Sequence, residues 1–302
     1  MTEIVVISGK GGTGKTSVTA SLAMLAGKKT VVADCDVDAS DLHLLLSPEN
    51  HEIHDFYSGE LAVINIERCT SCGICERKCN FDAIKQNDSK FEVNPLKCEG
   101  CGLCAEICPE NAIDLVMQNV GKWYLSHAKT GGFMVHASLK AGAENSGKLV
   151  SKVKQAAAET AKQIKLDYVI VDGSPGIGCP VISSLSGADF VLLVTEPTVS
   201  GFHDLKRIHK LVEDFQIPCG CIINKYDLNF RSTQKILEYI KKNNISYINS
   251  LPYDENFTRA MTMGQTIIEY ERNSNLSNLL SDSLDKIFQL TTRKKNEDSI
   301  SC

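Results

Sequence analysis

Two copies of one cysteine spacing, set into the middle of a chain with an otherwise regular α/β rhythm, limit most tightly what this sequence can become. Cys69, Cys72, Cys75 and Cys79 form the first copy, and Cys98, Cys101, Cys104 and Cys108 the second. Each reads C-x2-C-x2-C-x3-C, the run that wraps a [4Fe–4S] cluster in bacterial ferredoxins. The copies stand at a 29-residue offset that also superimposes Ala83-Ile84 on Ala112-Ile113, as a pseudo-twofold small domain requires. In two-cluster ferredoxins the fourth ligand of each cluster comes from the other run. That logic assigns Cys69, Cys72, Cys75 and Cys108 to one cluster, and Cys98, Cys101, Cys104 and Cys79 to the other. Zinc is the competing metal, because C-x2-C pairs also build zinc knuckles. The tandem spacing and the Cys108-Pro109 step favour iron–sulfur. The first run departs by ending Cys79-Asn80, which frees a backbone N–H where proline has none.

The second device lies at the start of the chain. Glu3 to Ser8 read as a short buried parallel strand. Gly9-Lys10-Gly11-Gly12-Thr13-Gly14-Lys15-Thr16 then matches G-x-x-x-x-G-K-[ST], followed by Ser17 and a helix to Gly27 whose small residues suit close packing on a sheet. In this strand–loop–helix context the backbone N–H groups converge on phosphates. Lys15 reaches the β- and γ-phosphates, and the Thr16 hydroxyl ligates Mg²⁺. Thr30–Ala33 form a second strand ending at Asp34-Cys35-Asp36. Tyr168–Asp172 form another, whose terminal acid is placed as a second carboxylate of the Mg²⁺ site. Strand-like runs at 190–195 and 221–224 alternate with helical runs at about 147–165, 202–215 and 231–243. The pattern predicts a doubly wound, mostly parallel α/β sheet.

The expected organisation is a first part of the phosphate-loop domain over 1–57, an inserted ferredoxin-like domain with two [4Fe–4S] clusters over 58–118, a second part of the phosphate-loop domain over 119–291, and a polar tail over 292–302. A hairpin turn is expected at Gly131-Gly132 and an N-cap at Asn145-Ser146. Leu276, Leu279, Leu280, Leu284, Ile287 and Phe288 form a core-facing helical stripe. An insert of this size has little core of its own, so metal must supply much of its stability.

Composition excludes several classes. A chain of 302 residues with 43% hydrophobic and 23% charged residues is ordinary for a globular protein. A net charge of −5 gives no ground for nucleic acid as a partner. The basic run Arg293-Lys294-Lys295 reads as solvated tail. No apolar stretch approaches membrane-spanning length, and no secretory leader is evident, so no membrane partner is expected. Thirteen cysteines, eight of them in cluster spacing, point to a reducing, cytoplasmic setting.

With Lys10 at its second position, the loop resembles the deviant Walker A motif of the MinD/ParA/Mrp-type ATPases and nitrogenase iron proteins. Asp34-Cys35-Asp36 resembles their switch I, Asp172 to Gly176 their switch II, and Leu251-Pro252-Tyr253-Asp254 with Arg259-Ala260 their base-contacting loop. With the insert, the chain resembles MinD-superfamily ATPases that carry a ferredoxin domain. The resemblance implies ATP and Mg²⁺ as cofactors and an ATP-dependent homodimer, or a heterodimer with a paralogue. It also implies that Lys10 reaches the nucleotide of the other subunit, that Asp36 positions the attacking water, and that Asp172 organises Mg²⁺ through its shell. Asn224 and Pro252 would contact adenine. Asn224-Lys225-Tyr226-Asp227 also matches the N-K-x-D string that selects guanine, which leaves GTP as the alternative base. Cys179 lies seven residues after Asp172, the spacing of a cluster ligand in nitrogenase iron proteins, but lacks a second cysteine to complete the pair. Cys219 and Cys221 alternate on a strand as either buried thiols or metal ligands, Cys35 reads as core, and Cys302 has no evident role. The expected function couples nucleotide-driven change to electron transfer, serving a redox or metallocofactor-assembly partner. The other reading is a cluster carrier gated by ATP.

Overall fold

The computed structural model describes residues 1–140 and 146–300, and the side chains of all of these except 50 and 293–300. Asn145 and Cys302 lie outside the described residues, as do the side chains of Arg293, Lys294 and Lys295. In chain order the elements are β1 (Thr2–Ile7), α1 (Lys15–Ala26), β2 (Thr30–Asp34), α2 (Leu42–Leu46), β3 (Glu49–Ile64), α3 (Ile74–Lys78), β4 (Ile84–Asn87), β5 (Lys90–Val93), α4 (Leu103–Glu106) and β6 (Ile113–His127). There follow β7 (Phe133–Leu139), α5 (Ser146–Gln163), β8 (Tyr168–Asp172), α6 (Cys179–Leu185), β9 (Phe190–Thr195), α7 (Val199–Asp214), β10 (Cys219–Asn224), α8 (Phe230–Lys242), β11 (Ser246–Leu251), α9 (Asn256–Thr262), α10 (Ile267–Tyr270) and α11 (Asn275–Ile300).

The chain divides into two compact units. The first comprises residues 1–54, 123–138 and 146–302, and the second residues 55–122 with 139–145, where 58–118 was expected for the insert. The strand order is β11-β10-β9-β1-β8-β2-β7-β6-β3. β1 pairs in parallel with β8 and β9, β2 with β7 and β8, and β10 with β9 and β11. β1 is buried along its whole length because both faces are covered. Ile4 and Val6 face a core shared with Val18 and Leu22 of α1 and with Leu276, Leu280, Leu284 and Ile287 of α11. Val5 and Ile7, pointing the other way along the pleat, are equally buried. The α11 stripe is thus core-facing.

The first unit departs from the sequence reading at its margins. α11 runs to Ile300, so the polar segment from 292 continues a helix instead of starting a tail. β11, with Ser246, Tyr247, Asn249 and Ser250 among its residues, had no apolar signature, because a sheet-edge strand needs to bury less. The turn between β6 and β7 closes through Gly131 N–H donating to the Ala128 carbonyl at 2.9 Å, with Gly131 at φ +81°.

The second unit has a small apolar core that includes Ala62, Ala83, Ile84, Phe91, Ala112, Ile113 and Val120. β4 and β5 pair as an antiparallel hairpin, and α3 packs against α4. The chain enters along β3 and leaves along β6. α3 and α4 each begin at a left-handed glycine, Gly73 at φ +71° and Gly102 at φ +78°, one repeat apart.

Candidate functional site

The carboxyl ends of the parallel strands gather most of the expected site residues. Between β1 and α1 the chain turns through Gly12 and Gly14 at φ +79° and +90°. A Cβ on Gly14 would lie 2.3 Å from Asn224 Nδ2, so no larger residue fits. Asn224, at the end of β10, donates through Nδ2 to the Thr13 carbonyl at 2.8 Å, and its Oδ1 accepts from Lys225 N–H at 3.0 Å. It braces the loop from the neighbouring strand. The N-terminal N–H groups of α1 then stand open to an anion.

A cleft with about 1420 Å³ of atom-free space lies over this helix terminus. Gly11, Gly12, Gly14, Lys15, Thr16, Ser17, Asp36, Asn224 and Pro252 all line it. So do Asp254 and the apolar or aromatic side chains of Tyr253, Phe257 and Met261. Thr13 is buried and does not line the cleft. Asp227 does not line it either; its Oδ1 accepts from Tyr253 N–H at 2.7 Å.

Beneath the cleft the charges are concentrated. Lys15 Nζ lies 3.0 Å from Asp172 Oδ2 and 3.4 Å from Asp36 Oδ2. Burial works against its charge, but the Asp172 and Asp36 carboxylates outweigh it and raise the Lys15 pKa. Thr16 Oγ1 donates to Asp172 Oδ2 at 2.8 Å, and Thr19 Oγ1 to Asp172 Oδ1 at 2.7 Å. Asp34 stands beside Asp172 in the β2–β8 register, and Ser40 Oγ donates to it at 2.6 Å. Burial, and then the Asp172 charge, push Asp34 up to about 7, and burial also raises Asp36. One ammonium therefore faces three carboxylates. A divalent cation added to such a set supplies the missing positive charge, and the Thr16 hydroxyl with the Asp172 carboxylate behind it offers oxygen donors that suit Mg²⁺.

Ser174 Oγ donates to the Cys35 carbonyl at 2.8 Å, tying the segment after β8 to the segment after β2. Lys10 is not in the cleft. Its Nζ lies 2.7 Å from Glu196 Oε1 and 2.9 Å from Ser200 Oγ. Partial burial opposes the Glu196 charge, but hydrogen bonds from Lys10 and Lys225 hold its pKa below the usual carboxylate value.

Thr19, Ser40 and Glu196 went unremarked in the sequence, and Asp34 and Lys225 stood there only as members of longer strings. Thr19 had a signal, one turn after Thr16 on the same helix face. Glu196 had another, as the acid that follows a continuous apolar strand.

In the second unit the eight cysteines of the repeat ring two cavities. Cys69, Cys72, Cys75 and Cys108 line one, with Ile64, Phe91 and Ile113, around about 350 Å³ of atom-free space. Cys79, Cys98, Cys101 and Cys104 line the other, with Ala62, Phe81 and Ile84, around about 430 Å³. Cys79 Sγ accepts from Ala83 N–H at 3.4 Å, and Cys108 Sγ from Ala112 N–H at 3.3 Å, again one repeat apart. Burial raises the Cys75 and Cys104 thiols, and neighbouring cysteines add to the shift. Among the described residues no three His, Cys, Asp or Glu side chains converge on a single-ion position. Four thiols lining one cavity can be ionised together only against positive charge, which is what a bound metal group would supply.

Cys179 is exposed at the start of α6, and Cys35 is buried. Burial raises both Cys219, to about 11, and Cys221, as expected of inert strand thiols.

A glycine-rich loop between a central parallel strand and a helix, with acids at the ends of adjacent strands, defines a P-loop nucleotide-binding protein. Residues 4–267 match the CobQ/CobB/MinD/ParA nucleotide binding domain, and the chain belongs to this family of P-loop ATPases. An uncharacterized protein of Methanocaldococcus jannaschii is 32% identical over 291 residues, covering 94% of this chain and 96% of its own. The septum site-determining protein MinD of Bacillus subtilis is 24% identical over 272 residues, covering 87% of this chain and 81% of its own. Among solved structures, MinD from Pyrococcus horikoshii complexed with Mg-ADP aligns at a TM-score of 0.57 and 18% identity, over 96% of this chain and 97% of that one. No helix among the described residues is long and apolar enough to cross a membrane.

Proposed function

We propose that this chain is an ATP-hydrolysing protein that acts as a dimer and couples its nucleotide state to electron transfer through two [4Fe–4S] clusters held by the second unit. The observation that carries the reading is the division of the eight cysteines between two cavities, four to each, in a chain whose other unit assembles a phosphate loop.

In the nucleotide site Lys15 and the α1 terminus take the phosphates, and Thr16 holds Mg²⁺ with Asp172 behind it. Asp36, lining the cleft beside Lys15, is the residue to orient an attacking water. Adenine is the expected base. The Asp of the N-K-x-D string is already engaged by the Tyr253 N–H and does not line the cleft, which leaves guanine without its usual partner. Lys10 of one subunit would act on the nucleotide of the other, as an arginine finger does in trans.

In the second unit Cys69, Cys72, Cys75 and Cys108 would hold one cluster, and Cys98, Cys101, Cys104 and Cys79 the other. Such clusters supply one-electron transfer at low potential. Each cavity draws its fourth cysteine from the other run, so neither set can open without disturbing the other. That interlock favours resident clusters over cargo awaiting delivery. The client is a redox or metallocofactor-assembly protein. Domain bounds follow the compact units, with the insert at 55–122.

The test is anaerobic purification with metal and acid-labile sulfide analysis, alongside ATP hydrolysis. About eight irons and eight sulfides per chain, with Mg²⁺-dependent hydrolysis of ATP over GTP, are expected. One or two zinc ions per chain and no sulfide would overturn the cluster assignment.

A further inference from the structure

Glu196 sits at the turn between β9 and α7, where the Thr198 N–H donates to its carbonyl at 2.8 Å and the Thr198 hydroxyl caps α7 by accepting from Gly201 N–H at 2.9 Å. This rigid seat presents one carboxylate to two lysines. Oε1 takes Lys10 at 2.7 Å and Oε2 takes Lys225 at 3.2 Å. Lys225 Nζ also donates to the Gly12 carbonyl at 3.2 Å and lines the nucleotide cleft. Gly9 seals the arrangement, because a Cβ there would meet the Asp204 carbonyl oxygen of α7 at 2.5 Å.

The first half of the phosphate loop is therefore docked on α7 of its own subunit, with Lys10 folded down onto that subunit's carboxylate. Reaching a second copy requires Lys10 to leave Glu196. The departure is tolerable because Lys225 still neutralises the carboxylate, so no buried charge is stranded. Pairing with Glu196 and reaching a second copy are mutually exclusive for this one side chain, so the pairing competes with the reach.

We propose that Glu196 is a positioning residue that holds Lys10 within its own subunit and sets how readily the nucleotide-bound chain engages a second copy. This rests on the dimer reading above, and the test separates the two.

Lysine acylation read by mass spectrometry on nucleotide-free protein reports the hold directly. Glu196→Gln keeps the shape and removes the charge, and is expected to raise Lys10 labelling about fivefold, with the exposed Lys210 unchanged as the control. Analytical ultracentrifugation with Mg-ATP is expected to show the Glu196→Gln dimer forming at about fivefold lower protein concentration than wild type. Adding Lys10→Ala should erase that gain. Unchanged Lys10 labelling overturns the hold, whatever the protein's oligomeric state. A dimer gain that persists without Lys10 overturns the positioning role. Should wild type bind ATP yet stay monomeric, the dimer reading fails and the gating role fails with it, while the labelling still decides whether Glu196 holds Lys10.

Discussion

The two units solve the problem of staying folded in different ways. The first buries both faces of its central strands beneath helices, and its core continues from β1 through α1 to α11. The second has a short row of buried apolar residues, two helices of four and five residues, and a two-stranded hairpin. Elements so short are not stable by themselves. One unit is held by apolar burial, and on the cluster reading proposed above the other gains its stability from ligation of its cysteines. On that reading, binding chemistry in the first is an addition to a finished fold, and in the second it is part of folding.

That contrast breaks most visibly at a cysteine. Cys75→Ser should remove the iron of one site and leave residues 55–122 open to limited proteolysis, while ATP binding by the first unit persists; iron analysis and a protease time course read the two together. The converse variant is Lys15→Ala. It should lower ATP turnover at least about 100-fold, since a charged phosphate contact is lost in a low-dielectric site, while iron content stays at the wild-type value.

A core truncation sharpens the comparison further. Leu192→Ala, in the fully buried β9, should cost about 2–5 kcal/mol of first-unit stability, read as a lower denaturant midpoint. Asp34→Asn should act in the opposite direction. Its carboxyl is raised from 3.8 to about 7 in the fold, so its contribution is complete below the unfolded value and is lost as pH rises through about 7. The metal-free variant should gain about 2–4 °C in Tm at pH 7.5 and little at pH 4, flattening the decline of the wild type. The smallest effect is expected at Asp227. Asp227→Asn should alter the preference for ATP over GTP by less than about threefold in competition binding, because that side chain serves the Tyr253 N–H.

Much of this was legible in the chain itself. The phosphate loop announces its strand, turn and helix within sixteen residues, and Asp36, Asp172 and Asn224 follow as polar residues closing apolar strands. The cysteine repeat carries its pairing logic in its spacing. What stayed hidden depends on contacts between residues far apart. The ion pair of Lys10 with Glu196 spans 186 positions and leaves no local pattern, and Lys225 looked like the filler of a four-residue string. That string also misdirects, since only the fold reveals that Asp227 is occupied. The short helices α2, α6, α9 and α10 lack the length for a periodic signal, and β11 is polar because it lies at the sheet edge.

The account stands on reciprocal linkage between nucleotide and redox state, and a potentiometric titration followed by EPR probes it most directly. With Mg-ATP, Mg-ADP and no nucleotide compared under anaerobic conditions, the account expects two reducible cubane signals whose midpoint potentials shift by about 30 mV or more between nucleotide states, a one-electron coupling of about 0.7 kcal/mol. Two iron–sulfur signals with the same potentials in all three states would contradict it.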